Sequence, residues 1–346
     1  MAPSATTTAA AEQTTDVTYE DLIQLEQEFE DADLQIIRHQ YKITQPLFAK
    51  RHEVISKLPN FWALVFEQVP PELDNFIQPS DSSIFADCLK SIEVTRFEID
   101  DPAGSPRSFS VKFGFSPNKY FDNEVLEKKF WYRHSLDGWS GLVSEPVKIN
   151  WKKGQDTTDG LTDAAVELFD ARKTLSADKV KSEFKKLPQY KKLLEKMELS
   201  EEGTLSFFTW FGFVSVRPFV AAEESAKAIK KEAENRTKKS KGEKVEENNE
   251  DEDEDDEEIQ LFAEESEVFP TGDELATLIA EDIWPNAIKY FTSAQEADDD
   301  LSSIEDIEEI EFDDDEDEPV DIRALVGKGK KEKNGESSPP AKKRRT

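Results

Sequence analysis

The chain has 346 residues, room for one or two domains, with 35% charged residues and a formal net charge of −32. The charge is local: Glu246 to Gly327 holds 34 acids and 2 bases, while the other residues hold 42 of each. A field of that sign selects cationic partners, disfavours direct contact with nucleic-acid phosphates, and leaves no expectation of sequence-specific DNA or RNA binding.

Taken in chain order, residues 1–17 are rich in Ala and Thr and lack the apolar core of a secretory signal. They are expected to be disordered. From Thr18 to Leu58 the chain holds no glycine and a single proline, Pro46. Apolar residues recur at Leu22, Leu25, Phe29, Ala32, Ile36, Ile43, Leu47 and Val54, with early spacings of three and four. Residues 18–58 are therefore expected to form a long helix whose seam pairs with a second copy. The alternative is a helix wrapped along its own domain. Its first half is acidic and Arg38 to Lys57 is basic, so an antiparallel partner would set unlike charges side by side. Pro46 removes one backbone donor and predicts a kink.

A short apolar helix over 60–68 stops at Pro70 and Pro71. Alternation then replaces the helical period. Strands are expected at 91–100 ("SIEVTRFEID"), 107–116 ("RSFSVKFGFS"), 125–134 ("VLEKKFWYRH") and 145–151 ("EPVKINW"). Phe109, Val111, Phe113 and Phe115 would share the buried face of the second. Four short-linked strands covered by helices give an α+β class with an antiparallel meander. Residues 161–199 read as lysine-rich helix, and "LSFFTWFGF" (205–213) as an aromatic core segment. Residues 222–265 are first basic, then acidic, with nine consecutive carboxylates from Glu250 to Glu258, and are expected to be disordered. The adjacency of the basic stretch 227–244 to that run allows the two to pair within the chain. An amphipathic helical pattern returns at 268–291. Residues 293–346 read as a second disordered tail, acidic then basic.

No catalytic constellation stands out. His39, His52 and His134 are scattered; the phosphate-loop, zinc and serine-elbow patterns are missing, so no cofactor, no metal and no enzymatic activity are expected. The one cysteine, Cys88, permits no intrachain disulfide and fits a reducing compartment. No apolar run is long enough to span a bilayer, so no membrane partner is expected. The basic cluster from Lys328 to Lys333, followed by Lys342, Lys343, Arg344 and Arg345, resembles a bipartite nuclear-import signal, which predicts a nuclear protein that shuttles with the cytoplasm. The alternative is a basic tail that pairs with the chain's own acids.

Six stretches in order resemble the nucleosome assembly protein family, closest to its SET type: "QPLFAKRHEVISKLPNFWALVFEQVP" (45–70), "SIEVTRFE" (91–98), "NKYFDNEVLEKKF" (118–130), "INWKKGQDTT" (149–158), "SFFTWF" (206–211) and "DIWPNAIKYF" (282–291). The similarity covers residues 18–158 and 204–292. It implies an antiparallel homodimer of backbone helices, each carrying an earmuff domain over 59–292. It also implies a chaperone that shields core histones for nucleosome assembly or disassembly. Histones would be held on a concave underside and by acidic segments. On this chain the implied histone-binding residues are Lys152, Asp156, Thr157, Thr158, Asp273, Glu274, Glu281 and Asp282, together with Glu250, Asp251, Asp255 and Asp256 of the acidic run. The SET type implies an alternative, an inhibitor or scaffold that masks histone tails from an acetyltransferase or binds a phosphatase. The helical insert 159–203 and the basic then acidic segment 214–267 depart from the family pattern.

Overall fold

The computed structural model describes residues 19–101, 104–175, 183–200, 205–215, 220, 222–240 and 261–304. Helix α1 (Tyr19–Ile55) runs through Pro46 without a break and, at about 1.5 Å per residue, extends roughly 55 Å. It carries two apolar stripes. One, at alternating steps of four and three from Ile23 to Ile55, is turned toward the chain's own domain and includes Ile37, Tyr41 and Phe48. The other holds Leu22, Leu25, Phe29, Ile36, Ile43, Leu47 and Val54, which stay 49–64% exposed, with Ala32 exposed beside them. The two readings of the helix are thus not exclusive: one face wraps its own domain and the predicted seam is left open.

Helices α2 (Phe61–Phe66), α3 (Pro71–Asp74) and α4 (Pro79–Cys88) follow, and every residue of α2 is buried. The sheet is an antiparallel meander of β1 (Leu89–Thr95), β2 (Phe109–Phe115), β3 (Val125–His134) and β4 (Ser140–Ser144), in that order. The α+β class stands, but the fourth strand is not the expected 145–151. The turn at Asp137–Gly138, where Gly138 takes φ 92° and Ser135 N donates to Trp139 O, folds the chain back at once. "EPVKINW" then crosses instead of joining the sheet, and pairs only through an isolated antiparallel bridge between Trp151 and Phe121. Pro146 offers no donor, Val147 N bonds Phe211 O, and Asn150 N bonds the Asn123 side chain. The first strand also ends early, at Thr95, because Arg96 to Ile99 closes a turn.

Register across the inner face sets Ile92 against Phe113 and Leu126, and Phe109 against Phe130. The 3₁₀ segment Phe207–Gly212 lays Phe207, Phe208, Trp210 and Phe211, all fully buried, on that face. Its entry is held by Asp81, which accepts Ser206 Oγ (2.6 Å), Phe207 N (2.8 Å) and Gln78 N (3.0 Å). Burial pushes the Asp81 carboxyl up to about 6, and these hydrogen bonds oppose the rise. Its exit is held by Lys128, an inner-face residue of β3 whose ammonium donates to Glu145 O, Phe211 O and Phe213 O at 2.7–3.2 Å. Half-buried Glu267 caps the same turn through Val214 N and Ser215 N, fixing Ser215 at φ 121°. Burial lowers the Lys128 pKa and raises that of Glu267; their mutual attraction opposes both shifts.

Helices α5 (Leu161–Lys173) and α6 (Pro188–Leu199) pack on each other around a second apolar cluster that includes Leu168, Phe184, Tyr190, Leu193 and Phe262. The segment expected to lack order is helical in two described parts. Helix α7 (Ala222–Ser240) docks a small face, with Ser225 and Ala228 buried and Ser225 Oγ accepting from His134 N. Residues 261–265 form a turn of helix that seats Phe262. In both, tertiary contact supplies order that a polar composition does not announce. The last pattern resolves into α8 (Gly272–Leu278), a π turn (Ile279–Ile283) and α9 (Ala287–Ile304), so helix continues past the expected boundary at 293.

Candidate binding surface

A groove of about 540 Å³ lies between α1 and the domain, lined by α1, the sheet's inner face, α8 and the π turn. Tyr41 and Phe48 come from α1, Phe109 and Tyr132 from the strands, and Asp273, Thr277, Glu281 and Trp284 from the last helical stretch. Two local features aim these residues. Gly272 lets α8 start close to Phe213, since a Cβ there would lie 2.4 Å from its ring, and Gly272 O accepts Trp210 Nε1 at 2.8 Å. The π turn, with Trp284 N bonded to Ile279 O, sends the Trp284 indole to Ile92 O on β1 at 3.0 Å.

The Phe48 and Trp284 rings meet at 4.0 Å. Arg51 lies 4.7 Å and 4.8 Å from those rings and donates to Trp284 O and Pro285 O. Burial pulls its pKa down to about 10. This latch fixes α1 to the domain. Arg96 pairs with Glu281 and also donates to Pro106 O. Arg107 pairs with Glu30 at 2.9 Å, donates to Tyr132 OH and lies over the Tyr132 ring.

Of the residues chosen from the sequence, Asp273 and Glu281 share this groove, and Glu274 is exposed beside them. Asp282 is committed instead to Asn286 (2.8 Å) and Tyr290 (2.6 Å); burial, then this bond, pushes the Tyr290 phenol up to about 12. Lys152, Asp156, Thr157 and Thr158 belong to a loop whose polar atoms are mostly spent internally. Asp156 accepts Thr158 N and Oγ1 at 2.8 and 2.7 Å, Thr157 shares a 2.9 Å contact with Ser206, and Thr158 is buried against Thr162. Lys152 is exposed and pairs with Asp122 at 3.4 Å. Thr158 therefore offers no surface to a partner. Glu250, Asp251, Asp255, Asp256 and the import cluster Lys342, Lys343, Arg344 and Arg345 lie outside the described residues. The sequence reading missed Tyr41, Phe48, Arg96, Arg107, Tyr132 and Trp284. Several lie inside the quoted segments, yet only tertiary placement shows that they face one space.

Among the described residues no group of three His, Cys, Asp or Glu side chains is placed to hold a metal, and no helix is long and apolar enough to cross a membrane. A meander domain latched to a long helix that leaves one apolar face open defines a class of helix-borne α+β binding modules. Within it, the chain belongs to the nucleosome assembly protein (NAP) family, whose model matches residues 55–294. A putative nucleosome assembly protein of Schizosaccharomyces pombe is 31% identical over 156 residues, covering 40% of this chain and 58% of that protein. The chain thus spans little more than half of that relative's length. NAP1-related protein 2 of Arabidopsis thaliana is 25% identical over 81% of this chain and 75% of its own length. Human SETSIP is 36% identical over 34% of this chain and 36% of its own. Among solved structures, Vps75 aligns at 21% identity with a TM-score of 0.48, covering 79% of this chain and 96% of that one.

Proposed function

We propose that this chain is a homodimeric nuclear histone chaperone, acting as a binding protein rather than an enzyme. The observation that carries the dimer is the open stripe of α1: its domain-facing side is satisfied, and seven large apolar side chains on the other side are 49–64% exposed. Burying what remains exposed of each is worth about half of the 1.5–3 kcal/mol of a full transfer, and a second copy of the same stripe is the self-complementary cover. The names of the relatives, nucleosome assembly proteins, support histones as the cargo. So does the charge, with nine consecutive carboxylates in Glu250 to Glu258. Each exposed ion pair contributes about 0–1 kcal/mol, so many weak contacts act together and exchange quickly, which suits hand-over of histones to DNA.

The test is sedimentation of the purified chain with and without core histones at graded salt. We expect a two-chain species that binds histones tightly at low salt and progressively less as salt rises. A one-chain species, or one indifferent to histones at physiological ionic strength, overturns the reading. Adding an acetyltransferase or a phosphatase to the same mixtures tests the finer inhibitory role.

A further inference from the structure

The groove is lined by two arginines, Arg96 and Arg107, and two acids, Asp273 and Glu281. Its two lining arginines are both engaged, Arg96 with Glu281 and Pro106 O, Arg107 with Glu30 and Tyr132 OH. The Asp273 carboxylate, half-buried on the opposite wall, has no hydrogen-bond or ion-pair partner among the described residues, and exposed Glu274 adds charge of the same sign at the rim. The walls are aromatic, from Tyr41, Phe48 and Trp284. The protein's own Arg51, which lies against both the Phe48 and the Trp284 ring, shows that this aromatic pair accepts a guanidinium. A volume of 540 Å³ lies within the range of about 300–1,000 Å³ common to ligand sites and exceeds what one long side chain needs.

We propose that this groove receives an arginine side chain of a cationic peptide, its guanidinium against Asp273 and its stem along the aromatic wall of Tyr41 and Phe48. The inference rests on the histone-chaperone reading and adds a docking point on the folded domain, separate from the acidic run. Arginine fits better than lysine because a planar guanidinium stacks on rings and forks onto a carboxylate, whereas an ammonium is a compact, strongly hydrated point charge. The exposed stripe of α1 lies about a third of a turn around the helix from Ile37, Tyr41 and Phe48, so the seam and the groove occupy different faces of the rod.

Thr277, exposed at the groove, is the place for a photoreactive benzoylphenylalanine in the full chain. The probe is a short synthetic peptide with arginine at every third position, and crosslinks are read by mass spectrometry. We expect capture of the peptide next to an arginine, and little capture of the lysine version. The same label at Leu199, 84% exposed elsewhere, should capture nothing. Asp273→Asn should lower the peptide's affinity roughly tenfold, as does loss of one charge-assisted contact worth about 1.4 kcal/mol. Thr277→Trp, which blocks the groove without touching a charge, should do the same. Crosslinks confined to residues 328–345 of the chain itself or to a second copy overturn the proposal. So does peptide capture unaffected by Asp273→Asn, or equal capture of the lysine peptide. If both variants still bind core histones like the wild type, the groove assignment fails while the chaperone reading stands. If the wild type ignores histones, the chaperone reading itself has failed.

Discussion

At the scale of single residues, the informative positions are charges placed where charges are costly. Asp81 is a buried carboxylate with three hydrogen-bond donors aimed at it, and nothing in "QPSDSSIF" distinguishes it from the chain's other acids. The ordinary carboxyl, at 3.8, ionises in the unfolded chain well before Asp81 does in the folded one, at about 6. Folding therefore retains a proton across that window. The stability this contributes is complete below pH 3.8 and is lost as pH rises through 6. Asp81→Asn cannot titrate; its oxygen can replace Oδ2, which takes both backbone donors, while its amide group faces Ser206 Oγ, a deficit of about 1 kcal/mol. We expect its deficit against the wild type to shrink by about 1 kcal/mol between pH 5 and pH 7. Urea unfolding at the two pH values checks this, and a deficit that widens contradicts it. Lys128 was hidden for a related reason. Period two puts Lys128 of "LEKKFWY" on the face of Leu126 and Phe130, but it does not say that three carbonyls wait there to receive the ammonium.

Elements were more legible where their residues interact locally. The seam of α1 was readable because a period of three and four places Leu22, Leu25, Phe29 and Ile36 on one face whatever surrounds them. Its second stripe was not, since Gln27, Thr44 and Arg51 are polar and are half-covered only by virtue of a domain beyond residue 55. The triple change Leu25→Asp, Phe29→Asp and Ile36→Asp should give a folded monomer: these side chains are exposed in the single chain, so their own domain loses little. Light scattering and near-ultraviolet circular dichroism check this together. A dimer that survives removes the seam, and an unfolded monomer shows that the stripe also serves the domain. The fourth strand was misplaced because "EPVKINW" has the right alternation, while the Asp137–Gly138 turn, a strong hairpin signal, was passed over. Helix α7 was missed because its docked face is made of Ser225 and Ala228, too small to register as an apolar stripe.

At the scale of the molecule, the deciding quantity is where the charge sits. A net −32 confined to one region is a concentrated polyanion attached to a neutral remainder. Replacing Glu250 to Glu258 by glutamine and asparagine should weaken histone binding by about tenfold or more at low salt, and far less at high salt, where the screening length falls toward about 3 Å. Equilibrium binding at the two salt concentrations checks this. A loss independent of salt would mean that the run acts through something other than charge.

By itself the sequence determined the distribution of charge, the long helix with its open seam, the α+β class and, through six ordered segments, the family. These depend on composition and on contacts between residues near one another in the chain. Tertiary structure alone decided that Asp273 and Glu281 share a groove with Tyr41 and Trp284, that Asp282 and Thr158 are spent on internal bonds, and that Arg51 latches the rod to the domain. The Arg51 latch alone joins residues 233 and 234 positions apart. No local period records them, because which polar group meets which is settled only when the apolar faces have closed.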